Sequence, residues 1–481
     1  MKSSFSIFAA LASAVLASPT GKYKFKSEDI IERDVVILGG GAAGVYALAR
    51  VLDANKTGVL IEKENHLGGH VNTYSPPGSP FALDYGVIAY LELPGVREFF
   101  ARFGIELMPA PTPPYQSQYV DFNTGLPVTT GIPAEIASNP QSVQQALGTY
   151  GQLAAQYLNQ TFPSLSQLPV GQPLPEDLSL PFGDFVQKYN LQAAIPTIYT
   201  FISYIGEIFR APTAYVLNQF SAVHLNATAN QGLLVPNILN NSVLYERAAE
   251  YFGDNVLFSS TVAFADRTDT SVTLVVTSST DDCSPKLIRA KKLINTIPPV
   301  PSYLAPLNLD QRELSIFQRW ICQTAYIGVL GATGLPDGLE LVNFSPDASV
   351  LNLPGSNGES HLWNFVFSGF PGLYRTNVVG APDLTADGAK ALVSEAAANI
   401  ARAGTYNMTD PQWLARANHK LLQCRFDIED IEAGLYAQAF ALNGYKSTFH
   451  AGAAWASDYT SVHWTYLESV ILPMLFKALE Q

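Results

Sequence analysis

The chain has 481 residues, 47% of them hydrophobic and only 14% charged, with a formal net charge of −13. That length supports two or three domains around a large core, and that composition excludes a disordered chain. The acidic balance, with no basic run anywhere, excludes nucleic acid as a partner, because phosphate binding needs clustered Lys and Arg.

The opening MKSSFSIFAALASAVLAS has the order of a secretory signal. Lys2 supplies the positive start, Phe5 to Leu16 a short apolar core, and Val15-Leu16-Ala17 a cleavage sequence. The apolar run is too short to anchor in a bilayer, so residues 1–17 are expected to be removed and the protein to enter the secretory pathway or leave the cell. Asn-x-Ser/Thr triplets at Asn55, Asn159, Asn226, Asn240, Asn343 and Asn407 agree with secretion and predict a glycoprotein. Cys283, Cys322 and Cys424 allow at most one disulfide, so the core must hold the fold. No later stretch offers about 18 uninterrupted apolar residues, so no membrane span is expected.

Residues 34–38 (DVVIL) read as a strand buried on both faces. The next six, GGGAAG, match GxGxxG: Gly39 permits a tight turn, Gly41 a close backbone approach to a pyrophosphate, and Gly44 close helix–strand packing. A helix over 42–53 begins at Ala42 and Ala43, with its free N–H groups and dipole toward the phosphates. A second strand at 59–61 ends on Glu62, followed by Lys63. A carboxylate there accepts ribose hydroxyls and repels a 2′-phosphate, which argues against NADP. Leu67-Gly68-Gly69-His70 and residues 83–87 (LDYGV) resemble motifs of flavin enzymes of the amine oxidase and phytoene desaturase type, a likeness that implies a glycine pair passing against the diphosphate and Asp84, Tyr85, Gly86 and Val87 beside the reactive ring.

Residues 94–104 read as an amphipathic helix with a glycine stop, and 109–140 as loop and short strands. A helix follows over 141–157. The long apolar stretch 191–222 is helical in character, with Tyr199, Phe201, Tyr204, Phe209 and Tyr215 as core or pocket. From residue 231 the order is loop, helix, then one strand over 256–265 containing Val262, with a hairpin and strand over 271–277 and 286–296. Residues 326–330, 339–343 and 361–367 alternate as strands of a second sheet. Near the end, 447–453 is a short strand broken at Gly452-Ala453, and a helix begins by Ser461, Val462, His463 and Trp464.

These blocks resemble the FAD-dependent amine oxidase and phytoene desaturase superfamily, and more narrowly the β-cyclopiazonate dehydrogenase family of secreted fungal flavoproteins. The residues carrying the resemblance are GGGAAG (39–44), LGGH (67–70), LDYGV (83–87), PEDLSLPFGDFVQKY (175–189), KLIRAKKLINTIPP (286–299) and FHAGAA (449–454). The layout is also similar to bacterial polyenoic fatty acid isomerases. The resemblance implies an α/β fold: a Rossmann-like FAD-binding domain of amine oxidase type with a discontinuous α+β substrate domain. The FAD-binding parts are 33–93, 231–300 and 421–481, and the substrate parts 94–230 and 301–420. It also implies that Val262 contacts adenine through its backbone, and that the 460–470 helix closes the flavin site. His70 stands where the family carries Arg, and Ala453 where it carries an acid.

No second GxGxxG supplies an NADPH site, which disfavours a pyridine-nucleotide-driven reductase. No cysteine lies between residues 447 and 470, so FAD is expected to be bound non-covalently. The sequence contains no metal-binding motif and names no catalytic residue; Lys446 is not assigned the N5 lysine role of amine oxidases. Three readings stay open: an oxidase or dehydrogenase removing hydride from a small, largely apolar molecule and passing electrons to O2 or another acceptor, a redox-neutral double-bond isomerase, and a non-catalytic FAD carrier.

Overall fold

The computed structural model describes residues 25–169, 172–280, 284–345, 350–355 and 358–481; the leader 1–17 and Cys283 lie outside them. Ile30–Leu38 is a central strand of a seven-stranded sheet, and its last four residues are fully buried, as a continuous apolar run requires between two covered faces. It pairs in parallel with Lys286–Asn295 on one side and Gly58–Ile61 on the other. Val256–Leu257 adds a further parallel strand beyond Gly58–Ile61. Lys286–Asn295 has two neighbours on its far side. Its first half pairs antiparallel with Val272–Ser278, and its last three residues pair in parallel with Thr448–His450. Three distant stretches of chain therefore bring their strand ends to one crevice, the place where open α/β sheets bind ligands.

The expected single strand over 256–265 is two strands. Ser259 turns the chain with φ +48°, so that Ser260–Arg267 leaves the parallel set and forms the opposite edge of the sheet. The region 109–140 contains the strand Gln116–Val120 and a helix, Ile132–Ser138, that its prolines and threonines concealed. The stretch 191–222 is helical but broken: Ile195–Ile202 and Thr213–Gln219 are separated at Gly206, with φ +72°, and at Pro212.

The second sheet has six strands in the order Gln412–Arg425, Ile321–Gly331, Tyr374–Gly380, His361–Phe367, Leu339–Asn343, Gln116–Val120. Gln412–Arg425 pairs with Ile321–Gly331 as far as Arg425, so the sequence boundary at residue 420 falls inside a strand of this sheet. Helix Ala386–Ala403 covers one face through Ala389, Val393, Ala397 and Ile400, which pack on Tyr326, Leu330, Phe365, Tyr374 and Val378. A bulge between Leu362 and Asn364 sends Phe365 and Phe367 into this core, while Trp363 turns the other way against Tyr199. Cys322 and Cys424 form a disulfide between neighbouring strands, closing a loop of 102 residues.

Polar anchors fix the connections. Arg267 makes a buried two-pronged ion pair to Glu313 at 2.8 Å and donates to the Leu307 carbonyl. In the PEDLSLPFGDFVQKY block, Asp177 accepts from Lys188, Tyr189 and Tyr157 at 2.7–2.9 Å, so this block is an internal knot of the helical region. Among the glycosylation triplets, Asn55, Asn159, Asn226 and Asn407 are exposed and Asn240 is half-buried. Asn343 is buried, accepts from the Phe122 N–H and donates to the Leu362 carbonyl, so the folded protein has no room for a glycan there. No helix among the described residues is long and apolar enough to cross a membrane.

Candidate functional site

The strand ends at Leu38, Ile61 and His450 lead into three glycine turns, at Gly39–Gly44, Gly68–Gly69 and Gly452, beside the end of Lys286–Asn295. Gly39 has φ +97°, and a Cβ on Gly44 would collide with the Gly39 carbonyl, so helix Ala42–Asp53 can approach its strand only with glycine at both positions. Thr296 donates its hydroxyl to the Leu38 carbonyl at 2.7 Å and stands directly against Gly39. Gly68 N–H donates to the Gly40 carbonyl at 2.9 Å, which holds the second glycine turn against the first. A Cβ on Gly41 would meet only the Gly69 Cα, at 3.8 Å. Gly41 and Gly69 thus face each other across bare backbone. Glu62 is buried, and its carboxylate accepts the N–H groups of Gly40 at 2.5 Å and Glu64 at 2.8 Å. A carboxylate has about four acceptor sites, so capacity for a ribose remains.

The other expected site residues divide into those near this cradle and those turned elsewhere. Ser260 N–H donates to the Glu62 carbonyl at 2.8 Å, which puts Val262 two residues from the end of the ribose strand. Lys63 points outward and pairs with Glu64. Ala43 is buried in the first turn of the helix. The Tyr85 and Gly86 N–H groups donate to the Asn72 carbonyl and Val87 N–H to the His70 carbonyl, and a Cβ on Gly86 would strike that His70 carbonyl. The LGGH and LDYGV segments are therefore one laced unit. Asp84 contributes to its framework: its carboxylate accepts from Asn241 N–H and the Thr73 hydroxyl, and burial pushes it up to about 6.

His70 does not act as a lone cation in place of the family's Arg. Its ring stacks on His419, centroids 4.1 Å apart, and burial lowers both below the ordinary histidine range, so both are neutral at neutral pH. His419 lies on Gln412–Arg425 and donates from Nε2 to the Asn72 amide oxygen at 2.7 Å, leaving Nδ1 as the acceptor nitrogen.

The closing segment completes the crevice. Gly452 has φ +100°, and a Cβ there would approach the Thr296 carbonyl to 3.0 Å. Ala453 follows, half-buried. Helix Thr460–Tyr466 buries Ser461, Val462 and His463. Ser461 Oγ and His463 Nε2 are buried without a hydrogen-bond partner, and burial holds His463 down to about 4. Trp464 is a core residue instead of a ring contact: its indole donates to the Ala42 carbonyl at 3.1 Å and stacks on Tyr46. Lys446 is spoken for by Asp310 at 2.9 Å.

A second surface faces this unit. On Tyr374–Gly380, Tyr374 and Val378 point to the helix-covered core, so Arg375, Asn377 and Val379 point to the opposite face, shared with His419. A polar chain crosses this inner face. Tyr204 donates to Asn377 at 2.6 Å, Asn377 to Asn364 at 2.8 Å, Asn364 to Glu340 at 3.4 Å, and Ser117 to the other Glu340 oxygen. Tyr204, Arg375, Asn377, Tyr115, Tyr119 and Tyr85 are half-exposed although they lie between protein layers. The aromatic stripe of 191–222 divides accordingly: Tyr199 and Phe209 are core, Tyr215 is buried with its hydroxyl on Gln423, and Tyr204 belongs to the inner face. Sequence reasoning missed His419, Arg375 and Asn377. The alternation of YRTNVVG was available as a signal, while QWLARANHKLLQCR carries too many polar residues to read as a strand.

Residues 37–103 match the family model of the NAD(P)-binding Rossmann-like domain. Over 446 residues the chain is 31% identical to beta-cyclopiazonate dehydrogenase of Aspergillus oryzae, covering 92% of this chain and 93% of that one. It is also 31% identical to an FAD-dependent oxidoreductase of Cochliobolus heterostrophus, across 98% of this chain and 97% of the relative. The chain belongs to this family of FAD-dependent oxidoreductases. A flavin cofactor follows, and the bare Gly41–Gly69 cradle together with the orphaned Ser461 and His463 polar atoms fits such a group. Members of the wider fold include the CLA-producing fatty acid isomerase from P. acnes, with a TM-score of 0.71 at 18% identity over 92% of this chain and 98% of that one. Putrescine oxidase aligns with a TM-score of 0.63 at 16% identity over 93% of this chain and all of that one. The fold of this FAD-dependent oxidoreductase is thus a Rossmann-like domain joined to a substrate domain of amine oxidase type.

Proposed function

We propose that the protein is a secreted FAD-dependent oxidase or dehydrogenase that removes hydride from a small, largely apolar organic molecule, with ring closure where the substrate carries its own nucleophile. The observation that carries the reading is the half-open inner face of the six-stranded sheet, which meets the dinucleotide cradle at the stacked His70–His419 pair. In this reading Gly39, Gly41, Gly44, Glu62, Gly68, Gly69, Val87, Val262, Gly452, Ser461 and His463 hold the cofactor. FAD, when bound, supplies a two-electron acceptor for the hydride.

The protein's own residues do the rest. The inner face positions the reacting carbon and excludes water. His419, neutral and fixed by Asn72, lines this face beside His70, and the proton released when a substrate nucleophile closes on the oxidised carbon leaves to solvent. The balance is one hydride and one proton leaving the substrate as one new bond forms, with O2 or another acceptor taking up the two electrons. The buried disulfide and the four exposed glycosylation triplets support an oxidising, secretory destination.

The test is an anaerobic screen of the flavin-loaded protein against amines, indole alkaloids and polyunsaturated acids. A true substrate bleaches the flavin, and in air consumes an acceptor in step with turnover. Turnover without net acceptor consumption would instead make the protein an isomerase. Acid precipitation reads the attachment: FAD in the supernatant supports non-covalent binding, and colour kept in the pellet overturns it.

A further inference from the structure

The carboxyl groups around the crevice are held unequally. Asp84 accepts from Asn241 N–H and the Thr73 hydroxyl, and Glu340 from Ser117 and Asn364. Asp458 lies on the closing segment, between Gly452 and helix Thr460–Tyr466, and is half-buried. Its carboxylate accepts one side-chain hydrogen bond, a long one of 3.4 Å from the Gln423 amide, and makes no ion pair with any described residue. A carboxylate has about four acceptor sites, and withdrawing it from water is costly unless donors replace the water. Most of the acceptor capacity of Asp458 is open.

The surroundings fix Asp458 in place. Its N–H donates to the buried Gln219 amide oxygen at 2.9 Å, and the next residue, Tyr459, donates its hydroxyl to the Phe201 carbonyl at 3.1 Å. Gln423 comes from Gln412–Arg425 through an irregular stretch, with φ +60° at Leu421 and +48° at Gln423, where the pairing with Ile321–Gly331 shifts register. Bulges of this kind re-aim side chains beside active sites. The other end of the Gln423 amide accepts from the Tyr215 hydroxyl at 3.1 Å, so the residue is locked. Asp458 is within Coulombic reach of His70 on the cradle, His463 on the closing helix and Tyr204 on the inner face. It therefore stands where the three surfaces meet. Burial keeps both histidines and the tyrosine neutral at neutral pH, so none of them supplies it with a cation.

We propose that Asp458 recognises an N–H or O–H donor of the substrate, holds it at the meeting point of the cradle and the sheet face, and so selects molecules that carry such a donor. A hydrogen bond to a carboxylate is about twice as strong as one between neutral groups. A molecule whose donor is blocked displaces water from the carboxylate and returns nothing to it, which is how a site built for a donor rejects analogues without one. Where the donor belongs to the nucleophile that closes the ring, the same contact orients it before closure. The inference rests on the reading of the inner face as the substrate surface.

The experiment uses the flavin-loaded protein and three flat apolar probes: 2-naphthol, its methyl ether 2-methoxynaphthalene, in which the donor is blocked, and 2-methylnaphthalene, which matches 2-naphthol in size. Binding is read by calorimetry and by the shift of the flavin's visible band. 2-Naphthol is expected to bind roughly tenfold or more tighter than either of the others, the scale of a hydrogen bond to a charged group. Asp458→Ala should bring 2-naphthol down to the affinity of its methyl ether while retaining the flavin. Asp458→Asn, close to the native side chain in size, keeps the proposal testable if the alanine variant does not fold. It should cut the preference by roughly threefold or more, since the contact left is between neutral groups. Equal binding of the three probes to the wild type, or a preference that survives both variants undiminished, would overturn the role of Asp458 alone. Failure of all three to bind would overturn the inner-face reading and the proposal with it. Protein that takes up no FAD would overturn the flavin reading instead, and calorimetry on it would still read the donor preference separately.

Discussion

The dinucleotide cradle is made of backbone. Gly39, Gly41, Gly69 and Gly452 present no side chain, Gly44 is forced by the Gly39 carbonyl, and Glu62 is held by two N–H groups. The inner face opposite is made of side chains from five strands and a helical segment: Ser117, Glu340, Asn364, Arg375, Asn377, His419 and Tyr204. One surface recognises a fixed ligand by close backbone approach, and the other presents exchangeable groups on a rigid sheet. Chemistry can therefore diverge on the sheet while the cradle stays constant.

The largest expected effect separates these materials. Gly44→Val places a branched side chain against the Gly39 carbonyl, and no flavin-loaded soluble protein is expected. Gly41→Ala, whose Cβ has room, should fold and lose affinity for FAD, measured by flavin content after gel filtration. Equal behaviour of the two variants would break the account of the cradle.

On the sheet, the corresponding constraint is the disulfide. Replacing Cys322 and Cys424 together by Ser should cost roughly 4–5 kcal/mol on the loop-entropy model for a loop of this length, read by denaturant titration. Arg267→Ala should destabilise by about 3–5 kcal/mol, because it strands Glu313 as a buried charge. Removing the exposed Arg97–Glu92 pair should cost about 0–1 kcal/mol by the same assay.

A further effect is in pH. Burial raises Asp84 from 3.8 to about 6, so the folded state holds its proton more tightly than the unfolded chain does. Its stabilising contribution is complete below the unfolded value and is lost as pH rises through about 6. Buried His463, lowered from 6.5 to about 4, works oppositely, losing stability as pH falls through that window. Both proteins share His463, so Asp84→Asn should lose less thermal stability than wild type between acidic and neutral pH. Parallel pH profiles would contradict the placement of Asp84.

The cradle was legible because its constraints are local. A strand, six residues with four glycines, a helix and an acid follow one another in sequence, and Gly68-Gly69 comes soon after. The inner face was not, because no short stretch contains it. Arg375 and Asn377 share a strand with core residues, and the polar chain from Tyr204 to Ser117 joins residues far apart in sequence. His70 illustrates the boundary: its place after the glycine pair was readable, while its partner His419 arrives from a strand hundreds of residues later. Trp464 shows the same limit, since its neighbour Ala42 opens the first helix.

The most direct test is a crystal structure of the FAD-loaded protein. The account predicts the diphosphate against Gly39, Gly41 and Gly69, and the ring between the Gly452–His463 segment and the sheet face bearing His419 and Arg375. A ring held away from that face, or a diphosphate outside the two glycine turns, would contradict it.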